Sequence, residues 1–389
     1  MHPIANIADI RERARRKLPR PIFNWVDGGS FDEHTLRANS ADFSKLRFRQ
    51  RALVDVSERN TGTTILGNPS SLPLAISPTG LGGILRARGG ETLLAQAAVA
   101  EKIPFCQAML SVYPLEEVVA AGGPVWLQIA MLKRRELIRD LLNRAEVAGC
   151  PAIMLTATMP VPSRLTRSIH SRLYEAIPPR LTPRNIIAYG PHFEWLWQTF
   201  TGRPMQLGNF VGAFKSREEE LLEVLGDFDS STSWEALEWL REIWPRKIIV
   251  KGIVNGEDAK HAIERGADAV SVSNHGGIQL DCAPSTIATL REVVDAVDGR
   301  AEVLLDGGVR SGQDVLKAVA LGATACLVGR ATLYGLAMDG EAGVRQAINI
   351  IREEIDITMA LTGVTDMDGV RDSILYPPDR DKIPSASVY

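Results

Sequence analysis

The chain has only four cysteines in 389 residues, and Cys106, Cys150, Cys282 and Cys326 lie far apart, mostly within apolar runs. That spacing offers neither a disulfide framework nor a zinc CxxC pattern, so reduced cytoplasmic thiols and no metal site are expected. Long apolar runs are also missing. No stretch reaches the roughly 18 to 20 apolar residues that span a bilayer, and the opening MHPIANIADIRERARRKLPRP lacks the apolar core of a secretion signal. The chain is therefore expected to be cytoplasmic, neither secreted nor transmembrane. Charge of one sign is not in excess: 44 Lys and Arg oppose 47 Asp and Glu, a formal charge of -3. Nothing electrostatic calls for nucleic acid or an anionic membrane as the main partner, and a small molecule is the default ligand.

What is present is core-forming material. At 45% hydrophobic content, one large α/β domain over 1–389 accounts for the length better than two domains. Short apolar runs recur at 73–77, 104–108, 125–130, 152–157, 247–252, 269–274, 302–307 and 325–330. Runs of this kind, bounded by Gly, Pro or Asn and separated by helical patterns, read as parallel strands buried on both faces. Eight of them predict a closed (β/α)8 barrel over about 73–340. EDAKHAIERGADAVSVSN from Glu257 aligns without gaps on QDVLKAVALGATACLVGR from Gln313, each a helix, a glycine stop and a strand.

Three segments fall outside the eightfold count. Residues 1 to about 45 carry amphipathic helical patterns, and 53–67 read as a hairpin closing the barrel bottom. A C-terminal helix and tail occupy about 341–389. Between the fourth and fifth runs, about 158–246 form an excursion far longer than an ordinary crossover, so it belongs on the C-terminal face near the site. Its aromatic cluster FEWLWQTF (193–200) reads as a helix packed within the protein, a pocket wall or lid, or a membrane-surface patch.

Barrel chemistry sits where strands end. The seventh and eighth runs end in Asp306-Gly307-Gly308-Val309-Arg310 and Gly329-Arg330. Glycines there let backbone amides approach a phosphate, and two arginines supply charge-assisted bonds; plain turn glycines with surface arginines are the alternative. Lys251 ends the fifth run, where a buried ammonium needs a polar cavity or an electron-rich ligand. His275, after the sixth run, is placed for a general base, or for a structural histidine bonded to a carbonyl. Gln128 and Thr156 interrupt apolar runs and need partners, from a ligand with polar ring edges or from the barrel core itself.

The blocks SPTG (77–80), VKGI from Val250, SNHGGIQLD (273–281), LLDGGVRSG (304–312) and LVGRATLYG (327–335), in one order over nearly the whole chain, resemble the FMN-dependent 2-hydroxy acid oxidases and dehydrogenases. This is the family of mandelate dehydrogenase, lactate dehydrogenase and glycolate oxidase type. KLPRPIFNWVDGGSFDE and RALVDVSERN look most like its mandelate dehydrogenase branch. The resemblance implies FMN bound through Pro78, Thr79, Gly80, Gln128, Thr156, Lys251 and Ser273, with the phosphate held by Asp306, Gly308, Arg310, Gly329 and Arg330. Ala108 stands where the family has a serine, which removes one hydrogen bond to the flavin. Lys251 is then the cation beside the flavin that stabilises its reduced anionic ring. A homo-oligomer, commonly a tetramer, is also implied, and membrane contact is not expected.

The substrate half departs from the pattern. Ile278 replaces one arginine that anchors the substrate carboxylate, and the second falls at Leu165, with Arg164 and Arg167 nearby as substitutes. Two family tyrosines become Trp25 and Ala130, and the aspartate that pairs with the catalytic histidine becomes Thr158. A carboxylate buried without cations costs several kcal/mol, so these losses point to a larger, less acidic substrate: an alcohol, an amine or a masked hydroxy acid. The resemblance implies hydride transfer from that substrate to flavin N5, with His275 taking the proton. Two alternatives stay open, namely orthodox 2-hydroxy acid oxidation with Arg164 or Arg167 recruited, and an FMN-binding homologue without turnover.

Overall fold

A computed structural model of the chain describes residues 2–173, 182–214 and 220–376. The N-terminal helical patterns become α1 (Ile7–Lys17), α2 (Arg20–Asp27) and α3 (His34–Ala41). α1 begins where the Asn6 side chain accepts the Asp9 amide, and it buries Ile7, Ile10 and Ala14, one face at helical spacing.

The hairpin lies further along the chain than the sequence suggested. β1 (Thr63–Ile65) pairs antiparallel with β2 (Asn68–Ser70), so its second strand falls beyond the expected 53–67. Leu66 (φ 51°) and Gly67 (φ 78°) supply the two positive-φ residues that a tight hairpin turn needs, and this local requirement fixes the register. Its position under the barrel is as expected. Ile65 and Leu66 are buried in the barrel interior, and the Leu66 amide donates to Glu302 Oε2 at 3.0 Å, where a barrel strand begins.

The eight apolar runs form eight parallel strands: β3 (Leu74–Ile76), β4 (Cys106–Ala108), β5 (Trp126–Ile129), β6 (Ala152–Thr156), β7 (Lys247–Ile253), β8 (Ala269–Val272), β9 (Glu302–Asp306) and β10 (Ala325–Val328). They pair in the order β3-β10-β9-β8-β7-β6-β5-β4. The ring is nearly closed between β3 and β4 by a bridge from Ile76 to Phe105 and by the Ile76 amide on the Pro104 carbonyl at 2.9 Å. The repeated unit is real: helices Gly256–Glu264 and Gly312–Ala320 are capped alike by Asn255 and Ser311, and each leads into its strand through a positive-φ glycine, Gly266 or Gly322.

The C-terminal helix starts earlier than expected, at Arg330, and runs to Thr362 with a break at Asp339-Gly340; the tail from 377 onward lies outside the described residues. Within the excursion, Phe193–Thr201 is a helix that buries Trp195 and exposes Phe193, Trp197 and Phe200.

α3 packs hard against the turn after β9. Gly308 has φ 83°, and a Cβ on it would stand 1.9 Å from the Asn39 carbonyl oxygen. The glycine is thus required by an approaching helix, independently of any ligand. Gly308→Ala is expected to cost about 3 kcal/mol or more and to lower Tm by at least about 5 °C. A thermal melt that coincides with that of the unaltered protein would refute this packing argument.

Candidate functional site

Side chains alternate along a strand, so one inward face can be followed up the barrel. Its lower layer is apolar: Ala75, Cys106, Trp126, Met154, Ile249, Ala269, Leu304 and Ala325 form one buried cluster with the hairpin. Two residues further along each strand the same face presents Ser77, Ala108, Gln128, Thr156, Lys251, Ser271, Asp306 and Leu327, with Gly329 beyond. The barrel therefore turns polar at its C-terminal end, where the sequence placed the site.

Lys251 and Asp306 face each other across β8 at 2.6 Å, both almost fully buried. Ser273 lies between them, accepting from Lys251 Nζ at 2.8 Å and donating to Asp306 Oδ2 at 2.8 Å, while Ser77 donates to Oδ1 at 3.2 Å. Burial pushes the Asp306 carboxyl up, but the Lys251 charge and the bonds from Lys251 and Ser273 outweigh it and hold the group below its usual range. Gln128 Nε2 donates to Thr156 Oγ1 at 2.9 Å, and Gln128 Oε1 accepts from the Met109 amide at 3.3 Å. These two residues partly satisfy each other, and Ser271 Oγ on the same inward face has no partner among the described residues.

Arg310 and Arg330 follow adjacent strands, and burial first and then the nearby Arg310 charge lower the pKa of Arg330. Among the described residues neither has a carboxylate partner: Arg310 Nη1 donates to the Val309 carbonyl at 2.8 Å, and Arg330 donates to the carbonyls of Val26, Gly276 and Gly28 at 2.9, 2.8 and 2.7 Å. Two guanidiniums with no salt bridge among the described residues, one of them opening the helix that begins with Arg330, form a receptor suited to a phosphate. Pro78, Thr79 and Gly80 follow β3 and are partly buried; a Cβ on Gly329 would lie 3.2 Å from Thr79 Cγ2, so these two loops meet. The donor set fits FMN: a polar layer with a buried ammonium for the ring, and paired cations for the phosphate.

His275 adopts φ 54° and its amide donates to Ser273 Oγ at 3.1 Å. Thr158 Oγ1 stands 3.2 Å from its Nδ1. Burial first and then the Lys251 charge lower the imidazole pKa, with Asp306 opposing, to about 3. The residue keeps partial solvent access, but protein surrounds the ring closely enough for burial to dominate.

The loops that carry the substrate-half residues are joined. Ser163 Oγ donates to the Gln279 carbonyl at 2.7 Å, and the Phe31 amide to the Arg164 carbonyl at 2.9 Å, which brings the segments of Leu165 and Ile278 to one mouth beside α2, the helix of Trp25. Ala130 is buried just past β5. Arg167 is engaged elsewhere: it bonds Asp27 Oδ2 at 2.7 Å and Glu33 Oε2, and Asp27 also binds Arg11 and the Tyr334 hydroxyl. Recruitment of Arg167 for a substrate carboxylate, open on sequence grounds, would have to break this network. Arg164 is exposed, and among the described residues its side chain has no partner. Sequence reading missed this network because its members lie up to 307 positions apart. It also gave no part to Ser77 or to Asn39, whose side chain exchanges bonds with Asn274 at 2.8 Å.

Fold and site together define an oxidoreductase barrel with its chemistry at the C-terminal mouth. The model of the FMN-dependent dehydrogenase family matches residues 14–377. The chain is 43% identical to an L-lactate dehydrogenase of Caulobacter sp. (strain K31) over 382 residues, 97% of this chain and 100% of that one. It is 40% identical to an L-lactate dehydrogenase of Ectopseudomonas mendocina over 378 residues, 96% and 98% of the two chains. Among solved structures, the monotopic membrane protein (S)-mandelate dehydrogenase superimposes with a TM-score of 0.92 at 36% identity, covering 96% of this chain and 100% of that one. A mandelate oxidase with an arginine-to-leucine substitution, solved with 2-hydroxy-phenylacetamide, gives 0.80 at 35% identity, covering 96% and 98%. The chain belongs to the FMN-dependent dehydrogenase family and is an FMN-dependent oxidoreductase of the 2-hydroxy acid dehydrogenase type.

The Lys251–Asp306 pair carries a pH signature. A carboxyl held below its unfolded-chain value of about 3.9 stabilises the fold above that pH, and the contribution is lost as pH falls through the folded value. Lys251→Met leaves the carboxylate buried alone, so the sign reverses and the variant weakens as pH rises. The expected deficit is about 3 kcal/mol at pH 7 and clearly smaller near pH 4.5, with Asp306→Asn in the same background recovering most of it. Chemical denaturation at both pH values checks this, and equal deficits would contradict it.

Proposed function

We propose that this chain oxidises a 2-hydroxy acid of the lactate and mandelate class at C2, with His275 as the base. The observation that carries the reading is the joint retention of the polar layer, the paired guanidiniums and His275 in a chain whose relatives are L-lactate and (S)-mandelate dehydrogenases. These relatives favour the orthodox substrate over the departure from 2-hydroxy acids that the missing arginines suggested. Arg164 is the exposed guanidinium on the mouth loop that is placed to meet a carboxylate.

Bound FMN supplies the acceptor for the hydride, two electrons and one hydrogen, that leaves C2. His275 takes the hydroxyl proton at Nε2, the ring nitrogen not engaged with Thr158, and the C–O bond becomes a carbonyl. Lys251 places positive charge at the ring layer, where it favours the reduced state. Pro78, Thr79, Gly80, Gln128, Thr156 and Ser273 line that layer, and Asp306, Gly308, Arg310, Gly329 and Arg330 form the phosphate end. Trp25, Ala130, Thr158, Leu165 and Ile278 surround the substrate.

A second reading is favoured by Leu165 and Ile278 at the mouth and by the engagement of Arg167. In it the substrate is a 2-hydroxy compound whose carboxyl is masked as an amide or ester. The mandelate oxidase solved with 2-hydroxy-phenylacetamide carries an arginine-to-leucine substitution of its own. Anaerobic mixing with L-lactate, (S)-mandelate and 2-hydroxy-phenylacetamide separates the two readings by which compound bleaches the flavin. Under the first reading the acids bleach it and Arg164→Ala raises KM at least about tenfold, the scale of a lost charge-assisted bond. Under the second the amide is faster, and Leu165→Arg with Ile278→Arg shifts preference to the acid. In either case His275→Asn slows bleaching by about 10² to 10⁴.

No helix among the described residues is long and apolar enough to cross a membrane. The helix Phe193–Thr201 nevertheless exposes Phe193, Trp197 and Phe200 at 71%, 53% and 59%, with Phe193 and Trp197 stacked and Arg88 over the Trp197 ring at 5.8 Å. An apolar helix face with Arg88 beside it suits the surface of an anionic bilayer, and it supports peripheral attachment in place of a wholly cytoplasmic life. Vesicles of phosphatidylcholine with phosphatidylglycerol are expected to co-sediment the protein. Changing all three aromatics to serine should abolish this, and failure of the unaltered protein to sediment would end the reading.

A further inference from the structure

We propose that Thr158 is the positioning residue for His275, orienting the imidazole through a neutral hydroxyl that lends it no negative charge. This rests on the reading of His275 as the base.

The geometry leaves the hydroxyl little freedom. Thr158 lies just past β6 and is wedged over β7: a Cβ on Gly252, which has φ 115°, would stand 2.5 Å from Thr158 Oγ1. From there Oγ1 reaches Nδ1 of His275 at 3.2 Å, across two loops tied by Ser163 to Gln279. The His275 backbone is held in the left-handed region by its amide bond to Ser273 and by the Gly276 turn beneath Arg330. With Nδ1 accounted for, Nε2 is the atom left for a substrate.

A hydroxyl and a carboxylate in this place act differently. Either can accept the Nδ1 proton, but only the carboxylate stabilises an imidazolium. The charged groups that act on the ring are Lys251 from β7 and Asp306 from β9, while Arg330, from the helix after β10, is bonded to the Gly276 carbonyl. Asp306 is already paired with Lys251 at 2.6 Å. The surroundings therefore disfavour a charged imidazole, in line with the lowering to about 3. Base strength follows proton affinity, whereas availability of the free base follows its inverse. Burial and Lys251 thus keep His275 weak but in its basic form across the working range of pH, and Thr158 holds the ring without adding a charge that would reverse this.

The test uses FMN-loaded enzyme and whichever 2-hydroxy compound bleaches it fastest. In the unaltered enzyme kcat/KM for anaerobic flavin reduction should stay level from pH 8.5 to pH 5, and the His275 imidazole signal, labelled at the ring carbon, should not titrate there. Thr158→Asp should raise kcat at pH 8 about tenfold and create an acid limb near the ordinary histidine value of about 6.5. It should also bring the His275 signal into titration. Thr158→Val should lower kcat about tenfold with KM nearly unchanged, and Thr158→Ser should recover most of that loss. If Thr158→Asp alters neither the pH profile nor the imidazole titration, or Thr158→Val matches the unaltered enzyme, the inference is overturned. A His275→Asn variant as fast as the unaltered enzyme would instead overturn the reading of His275 as base.

Discussion

Lys251 and Asp306 sit on strands that are not neighbours, and their contact across β8 is the interaction around which the upper barrel is arranged. Neither charge could stay where it is without the other, because a lone ion in so buried a place costs several kcal/mol. The pair in turn fixes Ser273, Ser273 holds the His275 amide, and Ser77 ties the carboxylate to the first barrel strand. One ion pair thus ties together strands on both sides of β8 and keeps a cation in the polar layer at the C-terminal end of the barrel.

Above that level the mouth is built from segments remote in sequence. The N-terminal helices contribute more than packing: α2 and the turn after it offer the carbonyls of Val26 and Gly28 to Arg330, and Asp27 gathers Arg11, Arg167 and Tyr334. The same Asp27 network that steadies the mouth withdraws Arg167 from it. Among the described residues, the loops at that mouth then offer apolar side chains at Leu165 and Ile278 and an exposed guanidinium at Arg164.

Much of this was legible in the linear chain. Recurring short apolar runs bounded by Gly, Pro or Asn read as buried parallel strands, and glycines with arginines at the ends of two consecutive strands pointed to a phosphate, because strand alternation and backbone approach are local rules. The hairpin was placed several residues too early, since a turn is set by two positive-φ residues and not by the polar stretch before it. Gly308 was read as leaving room for a ligand; its lack of a side chain is demanded in addition by Asn39 of α3, a neighbour that no local pattern announces.

By itself the sequence determined the class of barrel, the end at which chemistry occurs and the loss of the paired arginines, for these follow from residue type and from position along a strand. Only the tertiary structure decided that Arg167 is spent on Asp27 and Glu33, that Arg164 is exposed and, among the described residues, without a partner, and that Thr158 lies behind His275. The reason is physical: hydrogen bonds and ion pairs act over about 3 Å, and which groups come that close depends on how distant loops fold over the barrel mouth.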